Sequence, residues 1–415
     1  MNAKKDVSAG LNSCEQSVHS WDPVTYPVDA NSPFEPATTL CRIRRFYGGI
    51  CRMAYPDQHE GWLVTDASMA KRILTDRRFS ARAELKRSPV SRPGAEPFIG
   101  EPALPGWFVD MDGDEHLRLR RAVSGYFSPG YIKTLRPFIT AVAEAALDRF
   151  QSMPQPACLM THFALAVPAR IICEILGVPY AFHDRFQEAT GRLFSLHSLP
   201  DEAREAMDTL ERIIADVIAA NRAVSASGLI GQLVERKVLT DREIIGASVL
   251  LLTAGHETVA SMLGLSVFYL LSENPAAKTL LERDDRSRDL VDELLRYFSV
   301  FHLGVPRAAL EDVTVGDVTI KKGEAVTLSL PALNRDPGWI DSPDVFDPSE
   351  RSRRHLAFGH GMHQCIGQHL ARAELGITLK VLFQKLPHLS LAKSPDDIIL
   401  RQAGIRGIST LLVKW

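Results

Sequence analysis

The sequence predicts a mainly α-helical fold with a smaller β-rich region, and three observations carry that prediction. Helical patterns dominate residues 114–222. A capped, strongly apolar segment then runs from Thr240 to about Ser272. Short strand-like pieces are confined to the neighbourhood of residues 61–65 and to the stretch after Pro306. A chain of 415 residues could form two or three domains by length alone. Its interior nevertheless has no charge block, Ser/Gly linker, low-complexity tract or internal repeat, so residues 31–415 are expected to form one domain after a loosely ordered lead-in, residues 1–30.

Taken in order, Gly61 to Thr65 reads as a strand and Ala67 to Leu74 as a helix. Residues 82–108 are rich in Pro and Gly, which predicts a long irregular loop, and loops of that length inside a compact domain usually serve function. The helical stretch that follows is broken at Ser128-Pro129-Gly130, Met153-Pro154-Gln155-Pro156 and Gly177-Val178-Pro179. Thr240-Asp241-Arg242-Glu243 is a capping box, in which hydroxyl and carboxylate satisfy first-turn amides. The helix it opens would be about 48 Å long, enough to cross the domain. Strand-like Val313-Thr314-Val315 and Ala325 to Leu328 come next, and an irregular Pro/Asp-rich stretch, 334–354, leads on to the motif around Cys365.

Composition removes several function classes. The formal net charge is −2 and the pI about 6.7, so no global field draws nucleic acid. The first ten residues lack the apolar run of a secretory signal or an anchor, and a cytoplasmic protein is expected. Six cysteines, at 14, 41, 51, 158, 173 and 365, show no paired spacing, which suits a reducing compartment without disulfides. Only Ile244 to Leu271 is apolar enough to suggest a membrane span, and His256, Glu257 and Thr258 sit in its middle. A carboxylate at a bilayer centre costs about 2.5–3.5 kcal/mol, so a buried central helix is the better account.

The run Phe358-Gly359-His360-Gly361-Met362-His363-Gln364-Cys365-Ile366-Gly367 constrains the chemistry most tightly. Three glycines let the backbone wrap around one sulfur and turn N–H groups toward it. From Gly367 a helix is expected, whose positive end would favour the thiolate. Structural packing of a lone Cys is one alternative, and a zinc site built from His360, His363, Cys365 and His369 is another. Two further features stand out. Ala254-Gly255-His256-Glu257-Thr258 interrupts the apolar helix, where Gly255 would cost up to about 1 kcal/mol relative to Ala. Glu293 and Arg296 are spaced i, i+3 on one helix face.

In their order and spacing these motifs resemble those of the cytochrome P450 family over about residues 60–415, and Ala332 to Pro337 is typical of its soluble bacterial branch, including its secondary-metabolite enzymes. The resemblance implies haem b (iron protoporphyrin IX), held between the long central helix and the helix after the cysteine loop, with Cys365 as axial iron ligand. It implies that Phe358, Gly359, His363 and Gly367 form the cradle around the haem, and that Ala254 and Gly255 lie against its other face in a locally widened helix. Glu257 and Thr258 would help deliver protons there. His116, Arg120, Arg307 and His355 match positions that bind the two haem carboxylates. Gly113 and Asp114 replace prolines often found ahead of the first pair. Glu293 and Arg296 match a buried structural pair whose third member is normally an Arg four residues after a Phe. At that offset from Phe346 stands Glu350, with Arg351 beside it.

The implied activity is insertion of one oxygen atom from O2 into a small hydrophobic substrate, by hydroxylation or epoxidation, in a monomer that acts without nucleic acid or membrane. Electrons would come from a separate ferredoxin and its NAD(P)H-dependent reductase, with Arg351, Arg353, Arg354 and Arg372 as a docking patch. Oxidative ring closure or coupling without oxygen insertion is the alternative enzyme, and a non-catalytic haem or metal sensor the alternative class. Loop 82–108, Leu193 to Leu199, Leu250 to Ala254 and Val300 to Val305, with Phe108, Phe194, Phe298 and Phe301, are expected to shape an apolar pocket.

Overall fold

A computed structural model describes residues 23–27, 34, 36, 38–223, 228–349, 353–401 and 403–415. The chain begins with β1 (Val24–Thr25), α1 (Thr38–Tyr47), β2 (Ile50–Ala54), β3 (Glu60–Val64), α2 (Ala67–Thr75) and β4 (Phe79–Ser80). Helices α3 (Gly113–Ser124) and α4 (Pro129–Gln151) follow, then β5 (Ala157–Cys158), α5 (Ala166–Leu176), α6 (His183–Phe194), α7 (Pro200–Ala223), α8 (Gly228–Arg236) and α9 (Asp241–Ser272). The last third holds α10 (Asp284–Phe298), β6 (Val305–Ala309), β7 (Val313–Val315), β8 (Val318–Ile320), β9 (Ala325–Leu328) and α11 (Leu330–Leu333). It ends with α12 (Gln368–Lys385), β10 (Ser390–Leu391) and β11 (Leu412–Lys414).

Local chemistry sets the helix ends. Asp66 caps α2 through the Met69 amide at 2.7 Å, and Ser128 caps α4 with Pro129 at its first position. Gly177 closes α5 in the left-handed region, φ 80°. The expected capping box of α9 is present in both directions, Glu243 N to Thr240 Oγ1 at 3.3 Å and Thr240 N to Glu243 Oε2 at 2.8 Å. Gly113 opens α3 at φ 60°, a conformation closed to proline, so the departure from the family's prolines is a real change in helix entry.

Six strands form a sheet in the order β1-β2-β3-β9-β6-β4, while β10-β11-β5 and β7-β8 make two smaller sheets. The β3/β9 pair is parallel, and β9 pairs antiparallel with β6, placing Arg307 opposite Val326. Residues 24–25 contradict the loose lead-in expected for 1–30, because Val24 pairs in parallel with Met53 and closes one edge of the sheet.

Helix α9 runs through the middle of the helical layer, packed against α5, α7 and α12. Among the described residues it is the one helix long and apolar enough to cross a membrane, and most of it is buried inside the molecule. Its apolar character is thus explained by neighbouring helices. The largest buried cluster joins α3, α4, α5, α7, α9, α10 and α12, whereas two smaller clusters cover the faces of the six-stranded sheet.

Candidate functional site

Burial along α9 is continuous from Gly246 to Leu270 except at three residues. Ala254 is exposed, and Gly255 and Thr258 are partly so. Ala254 and Thr258 are one helical turn apart and share a face, so the central helix opens at one spot midway along its length. The expected local widening is not found: the helix is α throughout, and the Thr258 hydroxyl donates to the Ala254 carbonyl at 2.9 Å, within the normal turn. Gly255 has a packing reason instead. A Cβ there would lie 2.8 Å from Cγ1 of Ile172 on α5.

The cysteine loop is folded by its glycines in different ways. Gly359 and Gly361 take φ 67° and 74°, and at Gly361 a Cβ would meet the Leu74 carbonyl oxygen at 2.4 Å, so this glycine lets the loop press against α2. Only Gly367 lies beside the sulfur, 4.0 Å from where its Cβ would be. The Cys365 amide donates to the Phe358 carbonyl at 2.9 Å, fixing the turn. The Cys365 side chain is exposed yet closely surrounded, as in a concave site. Burial pushes its thiol pKa up, while the Gly367 N–H, Arg120 and Arg372 pull it back toward the thiolate.

Around this loop stands a set of under-used donors. His116 on α3 and His363 stack with centroids 4.1 Å apart, and neither ring nitrogen of either residue has a hydrogen-bond partner. Burial, then His363 and Arg120, lowers the His116 pKa to about 4. Arg120 donates to the Gln364 carbonyl in the cysteine loop. Arg307 is buried on β6 and donates to the Pro306 carbonyl at 2.8 Å. Burial lowers its pKa to about 10, against the pull of Asp112 and Asp110. Asp112, which sequence reasoning missed, accepts from Ser80 Oγ at 2.5 Å and Ala81 N at 2.9 Å and stands 3.9 Å from His363. Burial would raise its pKa, but His363, Ser80 and Ala81 hold it at about 2.

His355 departs from its expected part. Its Nε2 lies 3.3 Å from Asp292 and its Nδ1 accepts from the Ala357 amide at 3.1 Å, so both nitrogens are engaged away from any carboxylate ligand. Arg372 also differs from expectation, since its Nε donates to Asp292 at 2.6 Å and its guanidinium covers the Phe358 ring at 4.6 Å. It stiffens the loop and is not a free surface charge. Arg353 pairs with Asp289 at 2.6 Å.

The Glu293–Arg296 pair is buried and bidentate, both contacts at 2.7 Å. Arg296 also donates to the carbonyls of Asn334, Pro343 and Val345, and Glu293 accepts from the Asp347 amide. The pair therefore fastens the irregular segment that delivers the cysteine loop. Glu350 and Arg351, between which the sequence left the third partner open, lie outside the described residues.

Glu257 is buried, and its Oε2 accepts from Arg401 Nη1 at 2.5 Å. No sequence signal marked Arg401, which lies 144 residues away. Phe108 and Phe298 are buried in the main apolar cluster, while Phe301 is 40% exposed.

This arrangement fits an iron porphyrin. An accessible sulfur ligand, cationic and imidazole donors that outnumber the nearby carboxylate of Asp112, and a small-residue opening on α9 are what such a group needs. Cys365 would hold the iron, and His116, Arg120, Arg307 and His363 the two carboxylates. Among the described residues no three His, Cys, Asp or Glu side chains converge as metal ligands, so His360, His363 and His369 do not gather with Cys365 as zinc would require.

A family model for cytochrome P450 matches residues 288–410. Cytochrome P450-SU2 of Streptomyces griseolus is 37% identical over 397 residues, 95% of this chain and 98% of its own. The crystal structure of mycinamicin VIII C21 methyl hydroxylase from Micromonospora griseorubida, bound to mycinamicin VIII, superposes with a TM-score of 0.87 at 32% identity, covering 94% of this chain and 100% of that one. A putative thioether synthase involved in the tailoring step of griseoviridin superposes with a TM-score of 0.85 at 30% identity, covering 95% and 100%.

Proposed function

Because the chain belongs to the cytochrome P450 family, we propose that it inserts one oxygen atom from O2 into a hydrophobic organic substrate, tailoring a secondary metabolite by hydroxylation or epoxidation. The observation that carries this reading is the single opening in α9 at Ala254, Gly255 and Thr258, where an otherwise buried helix exposes small and hydroxyl-bearing residues. Haem bound through a cysteine thiolate supplies the activation of dioxygen, with two electrons and two protons, so that one oxygen atom enters the substrate and the other leaves as water.

The chain's own residues set the conditions for that chemistry. The Gly367 N–H with Arg120 and Arg372 favours the charged sulfur of Cys365. Thr258 Oγ1, now bonded to the Ala254 carbonyl, can turn its proton toward the opening, and Glu257 is the adjacent acid. Leu250, Val300, Leu303 and Phe301 contribute apolar surface on segments that flank it.

Electrons would come from a separate ferredoxin and its NAD(P)H-dependent reductase. A recess of about 400 Å³ beside the cysteine loop, lined by Lys71, Trp339, Arg353, Arg354 and His360, supports docking there of an acidic partner. We read residues 31–415 as one domain, since Gln155 bonds Trp415 and β3 pairs with β9 across the fold, in a cytoplasmic, monomeric protein. The putative thioether synthase among its structural relatives favours a second reading, bond formation without retained oxygen. Turnover under heavy-isotope dioxygen with a surrogate ferredoxin system separates the two: label in the product supports oxygen insertion, and its absence from a formed product supports coupling.

A further inference from the structure

Loop 82–108 is held at two places. Near its middle, a Cβ on Gly94 would stand 3.0 Å from the Ser198 carbonyl oxygen and 3.3 Å from the Ala203 side chain, so this part is pressed onto the turn between α6 and α7. Further on, a Cβ on Gly246 would meet the Pro105 carbonyl oxygen at 2.1 Å, which seats the loop on α9 about two turns before Ala254. The loop thus bridges the α6–α7 turn and the central helix close to the opening.

Arg92 lies two residues before the first of these contacts and reaches the end of α6. Its Nη2 donates to the Leu193 carbonyl at 3.1 Å, while its Nε is buried without a partner. The other pairings in the loop are ordinary: Arg82 meets Glu84 at 2.5 Å and Arg87 meets Asp57 at 3.1 Å. Among the described residues Arg92 has no carboxylate, and burial pushes its pKa down with nothing opposing it. A guanidinium carries five N–H donors in a planar fork suited to a carboxylate, and a desolvated cation without a counter-charge is unfavourable. A bound anion would correct both deficits.

We propose that Arg92 binds a carboxylate of the substrate, which makes the substrate class an amphipathic organic acid with its apolar body directed to the opening at Ala254. This rests on the monooxygenase reading and names the substrate class of the same site. It also assigns Arg92 as a specificity residue, not a catalytic one.

The test uses the haem-loaded protein and ω-imidazolyl alkanoic acids of about six to twelve carbons, each paired with its methyl ester. The imidazole head ligates haem iron, so binding is read as a spectral shift and needs no turnover. The expected result is that, at one or more chain lengths, the acid binds at least about tenfold tighter than its ester. The preference falls to within about twofold in Arg92→Gln and is partly kept in Arg92→Lys. Equal binding of acid and ester by the unsubstituted protein at every length overturns the proposal, as does a preference that survives Arg92→Gln. Failure of the haem reading looks different, since neither an ester nor a simple imidazole would then shift the spectrum.

Discussion

Arg401 Nη1 stands 2.5 Å from Oε2 of Glu257, joining the C-terminal segment to the acidic residue in the middle of α9. Both residues line a cavity of about 520 Å³ that also contains Asp184 and Glu188. The acid next to Thr258 is therefore held by an ion pair and reached from the side of α6, which gives Glu257 a structural duty beside its proposed proton role.

Removing one member of that pair leaves a buried charge uncompensated. Arg401→Gln should cost about 3 kcal/mol of stability in denaturant unfolding of the haem-loaded protein, and adding Glu257→Gln should recover much of the loss. Simple additivity of the two substitutions would show that the contact carries no coupling.

The pair Glu293 and Arg296 fastens the segment before the cysteine loop through the carbonyls of Asn334, Pro343 and Val345. Glu293→Gln or Arg296→Leu should cost about 3–5 kcal/mol and reduce the fraction of protein that accumulates with haem. Normal haem content and normal thermal stability in both variants would contradict a buried structural role.

Thr258→Val keeps the side-chain shape and removes the hydroxyl. Haem and substrate binding should persist and NAD(P)H should still be consumed, but more peroxide should be released for each product formed. Unchanged coupling between NAD(P)H and product would mean that another group supplies the proton.

His302 provides a pH test away from the cysteine. Burial, then the positive charge of Arg406, lowers its pKa from 6.5 to about 4. The unfolded chain therefore binds a proton that the folded one refuses between those values. Stability from this group is fully present above pH 6.5 and is lost as the pH falls toward 4, by about 2–3 kcal/mol in all. Unfolding midpoints measured from pH 7 to 4.5 should fall less steeply in His302→Gln than in the unsubstituted protein. Parallel slopes would show that His302 does not report this burial.

Much of the site was legible because its signals are local. The box at Thr240 and Glu243, the Gly–Cys run around Cys365 and the Glu293/Arg296 spacing each concern residues within a turn or a loop, where backbone rules act directly. What the sequence left dark depends on contacts between distant segments. Arg401 reaches Glu257, Asp112 accepts from Ser80 and Ala81, and Arg335 lies 3.7 Å over the Tyr297 ring, with no periodicity to announce any of them. His355 shows the reverse case: its position matched the motif, but Asp292 and the Ala357 amide claim both nitrogens. The glycines of the cysteine loop likewise needed coordinates to separate Gly361, which fits against Leu74, from Gly367, which faces the sulfur.

The central claim is that Cys365 ligates haem iron as a thiolate, and the absorption spectrum of the reduced, carbon-monoxide-bound protein tests it most directly. The unsubstituted protein should give the red-shifted band characteristic of thiolate ligation, and Cys365→Ser, checked for folding by circular dichroism, should lose it. A folded Cys365→Ser variant that keeps that band would contradict the assignment.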